Sequence, residues 1–252
     1  MRLGLISDIH GNAIALEAVM ADLQEQSVDA VICLGDIATL GARPRQTLAA
    51  VRAQGWACVR GNHDAALLDL ERAADYHIGP PLHATLRWCA RQLSEEDLSW
   101  LRPSPATLRL PLGAGADLLA FHGSPRSNVD VILAETPAET LEQLLGGQAA
   151  AVMAGGHTHI QLLRQHQGRL LLNPGSVGCP FETPPPSEAA PTLLPWAEYA
   201  IVTWRAGVIQ ADFRRVPYDL AAWVAALSAS DLPLKDWWIE QYQRPAGAGP
   251  TR

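Results

Sequence analysis

Five short polar segments each follow directly on an apolar run: Asp8-Ile9-His10-Gly11-Asn12, Gly35-Asp36, Gly61-Asn62-His63-Asp64, His122-Gly123 and Gly156-His157-Thr158-His159. Each run reads as a β-strand, so each segment falls just past a strand's carboxyl end. In an open α/β sheet, ligands bind beyond those ends. A fold that accommodates the pattern gathers Asp8, His10, Asp36, Asn62, His122, His157 and His159 at one edge, with His63 beside them. Seven oxygen and nitrogen donors converging in this way describe a site for two metal ions.

The remaining pattern fits that constraint. The runs 2–7, 30–34 and 56–59 are strand-like, and helical spacing between them (Ile14, Leu16, Val19, Leu23, then a stretch beginning at Pro44) gives a βαβαβ opening. This predicts an α/β fold with a parallel sheet and helices packed on it. The stretch from Asp64 to about Leu101 reads as helical, and Ser94-Glu95-Glu96-Asp97 reads as a capped helix start. Strands are expected over 107–110, 117–121, 149–154, 162–165 and 169–172, interrupted by a helix over 138–145. A hairpin over 199–214 turns at Ala206-Gly207, and 219–243 reads as helical. Residues 182–195 form a proline-rich loop.

Composition narrows the function classes. At 48% hydrophobic, 252 residues carry enough apolar mass for a substantial core and too much for a disordered chain. The net charge is -7 and no basic run occurs, which argues against a stable nucleic-acid complex. A phosphate ester remains an acceptable substrate, because two divalent cations reverse the local field. The four cysteines, Cys33, Cys58, Cys89 and Cys179, are scattered, and no stretch is long enough to span a bilayer. With a first strand starting at Arg2 and leaving no room for a leader, the expectation is a reducing, cytoplasmic setting.

Asp-x-His or Gly-Asp alone is common by chance, and a turn or helix cap explains either. Gly-Asn-His-Asp and Gly-His-Thr-His are more specific, and all five in this order on a matching strand pattern are not explained by turns. The order resembles the calcineurin-like metallophosphoesterase superfamily, nearest to its small bacterial and archaeal phosphodiesterases, from Arg2 to about Tyr218. The resemblance implies a four-layer α-β-β-α sandwich of two stacked mixed sheets with flanking helices. It implies one domain over 1–218, with a helical insert at about 64–103 and the loop 182–195, and a helical extension of the same domain over 219–252. It implies that Asp8, His10 and His159 hold one metal, Asn62, His122 and His157 a second, and that Asp36 bridges them. His63 then binds neither and faces the substrate as general acid. The donors suit Mn²⁺ foremost, with Fe, Zn or Ni able to take the same place.

The expected reaction is phosphodiester hydrolysis, by in-line attack of a hydroxide shared between the ions on a small, nucleotide-like substrate. A phosphomonoester or phosphoprotein phosphatase is the alternative, and a non-catalytic scaffold of the same fold the outside reading. Asp64 is expected to cap the following helix rather than orient His63, and Asn12 to cap a helix rather than touch phosphate. Arg126 and Asn128 divide evenly between phosphate contacts and loop bracing. His77, His83 and His166 read as ordinary histidines, and Asn173-Pro174-Gly175-Ser176 as a turn that packs near the metals in the family. Cys179 and Phe181 stand where relatives often carry Gln and Arg. Of the adjacent Trp237 and Trp238, one is expected at a subunit contact.

Overall fold

The computed structural model describes residues 1–184 and 191–243. The opening is β1 (Arg2–Ile6), α1 (Ala13–Glu25), β2 (Ala30–Cys33), α2 (Pro44–Ala53) and β3 (Ala57–Cys58). Three helices follow, α3 (Asn62–Leu68), α4 (His83–Gln92) and α5 (Glu95–Leu101), with 3-10 turns at Leu70–Arg72 and Pro80–Leu82. Then come β4 (Thr107–Gly113), β5 (Ala116–Phe121), α6 (Ala138–Leu145), β6 (Val152–Ala154), β7 (Gln161–His166) and β8 (Arg169–Pro174). The hairpin β9 (Trp196–Arg205) and β10 (Val208–Pro217) leads into α7 (Leu220–Ala229) and α8 (Lys235–Gln243).

The strands form two mixed sheets, ordered β10-β9-β1-β2-β3 and β4-β5-β6-β8-β7. Strand alternation sorts the side chains into layers. In β2, Ile32 points into the space between the sheets while Val31 and Cys33 face the α1 side. In β5, Leu118 and Ala120 meet the first sheet, whereas Leu119 and Phe121 pack with Leu141 and Leu145 of α6. Helices therefore cover both outer faces, giving the α-β-β-α sandwich. Near-continuous apolar runs in β1, β2, β5 and β6 are what a strand buried on both faces requires. Helices α7 and α8 contribute Trp223, Leu227, Trp238 and Tyr242 to the same cluster as Leu16 and Val19 of α1.

Boundaries moved where local chemistry demanded it. Strand β3 keeps only Ala57 and Cys58 of the expected 56–59, paired in parallel with Ile32 and Cys33. The expected helix over 219–243 breaks in two around Pro233, and Leu234 takes a left-handed φ of 64°. Ser94 and Asp97 form the expected capping box at the start of α5. The four cysteines are free and buried. Among the described residues no helix is long and apolar enough to cross a membrane.

One polar clamp ties α1 to the sheet edge. Asp22 accepts from Arg214 Nε at 2.7 Å and Nη2 at 2.9 Å, and also from the Tyr199 hydroxyl. The Arg214 hydrogen bond holds the Asp22 carboxyl below its ordinary range. A depressed carboxyl pKa contributes stability that is complete above the unfolded value, near 4, and is lost as pH falls through the folded one. Asp22→Asn should cost about 1–2 kcal/mol at pH 7 by urea unfolding, with the gap to wild type narrowing below about pH 4. A gap of equal size at pH 7 and pH 3.5 contradicts the clamp.

Candidate metal centre

The five segments meet where the sequence placed them, at one end of the two sheets. Asp8 and His10 follow β1, Asp36 follows β2, Asn62 and His63 open α3, His122 follows β5, and His157 and His159 lie between β6 and β7. Asp8 and Asp36 are wholly buried, as are Asn62 and His122. Asp8 Oδ1 has no hydrogen-bond partner, yet lies 3.2 Å from His159 Nε2, 3.6 Å from His10 Nε2 and 4.0 Å from His122 Nε2. Asp36 Oδ2 lies 3.4 Å from His122 Nε2 and 3.8 Å from His10 Nε2, between the two groups of ligand candidates. Asn62 Oδ1 is 3.0 Å from His122 Nε2, and its amide nitrogen donates to the Tyr76 carbonyl, which fixes the oxygen inward.

The outer ring nitrogens fix the tautomers. His122 Nδ1 donates to the Leu34 carbonyl at 2.7 Å, and His159 Nδ1 to the Cys179 carbonyl at 2.8 Å. A carbonyl only accepts, so in its neutral form each ring would present a lone pair at Nε2 toward the centre, as metal-ligating histidines do. His10 Nδ1 is likewise engaged from outside by Thr39 Oγ1 at 3.0 Å. His10 and His159 bring their Nε2 atoms within 3.1 Å of each other. Inward lone pairs, an orphaned carboxylate oxygen and an all-oxygen-and-nitrogen donor set fit divalent cations of the Mn²⁺, Fe²⁺ or Zn²⁺ type.

Charge tells the same story. Burial works to raise the Asp8 and Asp36 pKa values, but the facing histidines outweigh it and hold both below the carboxylate range. Burial opposes protonation of His122, but Asp36 and then Asp8 bring its pKa up to about 9. Two ionised carboxylates in the interior thus draw positive charge to themselves.

Backbone geometry adds a feature that residue spacing does not announce. Asp8, His10, Asp36, His157 and His159 all have φ between 46° and 68°. For a non-glycine residue this left-handed conformation costs of order 1 kcal/mol and persists only where neighbours over-determine it. The neighbours do so here: Asp8 N donates to Gly35 O, His10 N to Asp36 O, and Gly178 N to Asp8 O. The Asp64 carboxylate accepts from the amides of Asp36, Ile37 and Gly61, at 2.8, 3.0 and 3.1 Å. Asp64 is therefore the third residue of α3 and not its cap, which is Gly61; it clamps the Asp36 loop and makes no hydrogen bond to His63.

The calcineurin-like phosphoesterase superfamily domain matches residues 1–193. This chain belongs to that superfamily. An uncharacterized protein of Methanocaldococcus jannaschii is 30% identical over 193 residues, 71% of this chain and 76% of that one. A metallophosphoesterase from Sphaerobacter thermophilus has the same architecture at a TM-score of 0.73 and 28% identity, covering 96% of this chain and 98% of the other. A hypothetical protein from Pyrococcus horikoshii superposes at a TM-score of 0.75 with 22% identity, covering 92% and 94%.

Within this phosphoesterase chain the lesser candidates divide. Asn12 caps α1 through the Ala15 amide and also donates to the Gly178 carbonyl. Asn128 donates to the Gly61 carbonyl and so braces the turn before Asn62. Arg126 is exposed and reaches the Gln143 carbonyl at the end of α6, away from the histidine cluster. His83 bonds the Ile78 carbonyl and His166 pairs with Glu142, as ordinary histidines do. Asn173 donates to Gly156 O and Thr158 Oγ1, and Ser176 to Asp8 O, so the Asn-Pro-Gly-Ser turn supports two ligand loops. Spacing gave no reason to expect Cys179 here, yet its Sγ lies 3.3 Å from His159 Nδ1.

Gly61 shows how tightly Asp36 is held. A Cβ there would lie 1.9 Å from Asp36 Oδ1 and 2.6 Å from Asp36 N. Gly61→Ala should lower unfolding free energy by about 1–3 kcal/mol. Gly79→Ala, which meets nothing closer than 3.8 Å, should be close to neutral. Equal midpoints for the two in urea contradict this packing.

Proposed function

We propose that the chain is a two-metal phosphodiesterase, in which Asp8, His10 and His159 hold one cation, Asn62, His122 and His157 the other, and Asp36 both. The observation that carries the reading is the buried Asp8–Asp36 pair, with Asp8 Oδ1 unpartnered amid three inward Nε2 atoms. Bound there, two divalent ions would supply the nucleophile at neutral pH and neutralise charge developing on the phosphoryl oxygens.

The protein's own contribution is position and proton control. Asp36 Oδ1 accepts from the His63 backbone amide at 2.9 Å, so the group between the proposed ions also sets the start of α3. The His63 ring lies 5.0 Å from the His10 ring and lines the cavity above the cluster. Its Nδ1 has no hydrogen-bond partner. Burial holds the His63 pKa down at about 3. The free protein therefore carries a neutral ring, and an anionic phosphate arriving beside it raises its proton affinity. Beside the phosphate the ring takes up a proton from solvent to become an imidazolium, then gives it to the leaving-group oxygen and returns to the neutral form.

Charge also favours a diester over a monoester. Among the described residues lining the cavity there is no lysine or arginine. A diester brings one negative charge and a monoester up to two, and the extra charge calls for further cationic side chains.

Mn²⁺-loaded protein should release nitrophenol from bis-p-nitrophenyl phosphate faster than from p-nitrophenyl phosphate. Hydrolysis of neither by metal-loaded protein returns the scaffold reading. His63→Ala should keep its manganese by elemental analysis while losing at least about a hundredfold in turnover; unchanged turnover on a poor leaving group removes His63 from its role. Asp36→Ala should lose metal and activity together, and full metal occupancy in that variant contradicts the bridge.

A further inference from the structure

The cavity over the histidine cluster has a volume of about 640 Å³, in the range that takes a small-molecule ligand. Its floor is Asp36, His63, His157 and His159, and its walls are of opposite character. Leu82, Val131, Phe181, Leu234 and Trp237 line them, drawn from four separate segments of the chain. Val131 and Leu234 are 37% and 41% exposed, and large apolar side chains left open beside a concave polar floor mark a ligand site.

The walls are aromatic where they meet the floor. Phe181 stacks on the His159 ring at a centroid distance of 4.3 Å and 29°. Trp237 is half-buried and lines this cavity, while Trp238 is buried and meets it edge-on at 4.7 Å and 81°. A buried indole that braces a half-buried one holds the second ring in place. Flat hydrocarbon surface thus lies against a proposed metal ligand at Phe181 and is offered to the same cavity by Trp237 of α8.

We infer that this cavity is a subsite for an uncharged aromatic ring carried on one ester oxygen of the substrate, with Trp237 and Leu234 as specificity-determining residues. The inference rests on the phosphodiesterase reading above. A phosphate on the polar floor places its ester substituent against Phe181 and Trp237. Ring-on-ring contact with these side chains selects a flat aromatic group over an aliphatic one of equal size. The same walls disfavour a polyphosphate chain, whose further charges would meet only apolar surface.

The test is calorimetric binding of methyl phenyl phosphate, methyl cyclohexyl phosphate and dimethyl phosphate to the Mn²⁺-loaded full chain, beside hydrolysis of bis-p-nitrophenyl phosphate. The phenyl ester should bind at least about tenfold more tightly than dimethyl phosphate, and more tightly than the cyclohexyl ester. Trp237→Ala should bring the phenyl-to-dimethyl ratio toward one. Leu234→Asn should reduce it too; the residue is exposed, and asparagine tolerates its left-handed φ of 64°, so folding is preserved. Leu163→Ser, at an exposed position away from the cavity, should leave the ratio intact. Equal binding of phenyl and dimethyl esters overturns the subsite, as does a ratio unmoved in both Trp237→Ala and Leu234→Asn. Aromatic preference without diester hydrolysis supports the subsite while sinking the phosphodiesterase reading. Hydrolysis without preference does the reverse.

Discussion

Two ionised carboxylates buried at the ends of adjacent parallel strands set the terms for the rest of this site. Asp8 and Asp36 have almost no solvent contact, and a buried charge without compensation is among the most expensive things a fold can contain. The surroundings compensate in two ways. Backbone amides of His157 and His63 donate to one oxygen of each. Histidine rings face the other oxygens. What the protein itself leaves unsatisfied, notably Asp8 Oδ1, is where a cation would contribute most, because attraction grows as water is excluded.

The two-sheet architecture makes the arrangement affordable in conformational terms. Stacking the sheets brings ligand loops from both to one end, so that each loop braces another. Gly178 approaches the Ile9 carbonyl so closely that any Cβ would lie 1.9 Å from it, and at Gly156 a Cβ would meet Ser7 Oγ at 2.0 Å. Glycine at these places is a condition of contact between loops. The left-handed backbone at five ligand candidates is sustained by the same bracing. Charge is concentrated on the floor and removed from the cavity walls, so the machinery that would act on phosphate is set apart from the surface that would choose its substituent.

Much of this was legible in the sequence because the informative signals are local. A strand followed by Asp or His needs only a few residues to be read, and the α/β alternation follows from apolar periodicity. What escaped reading depended on contacts between distant segments. Asp64 follows His63 directly, so a helix cap was the natural expectation; its carboxylate does take the Gly61 amide at the start of α3, but from the third helical position, and it also reaches the amides of Asp36 and Ile37. Arg126 follows a site turn but bonds the end of α6. Trp237 gave no sign of lining a cavity more than seventy positions beyond the last histidine of the cluster. The breadth of the left-handed backbone was invisible because Asp and His, although they adopt that region more readily than most residues, do so in only a small minority of their occurrences. The expectations for residues 185–190 of the proline-rich loop and for 244–252 of the extension lie outside the described residues.

One consequence concerns the order in which the molecule is made. His10 and His159, whose ring nitrogens meet, are 149 positions apart in the chain. During synthesis the amino-terminal donors wait until both sheets have been translated and docked before the last imidazoles reach them. Closure over so long a loop is slow compared with helix formation or a local hairpin. A nascent chain therefore offers scattered, weak donors rather than a competent chelator, and tight capture of a cation becomes a late event that reports completed folding.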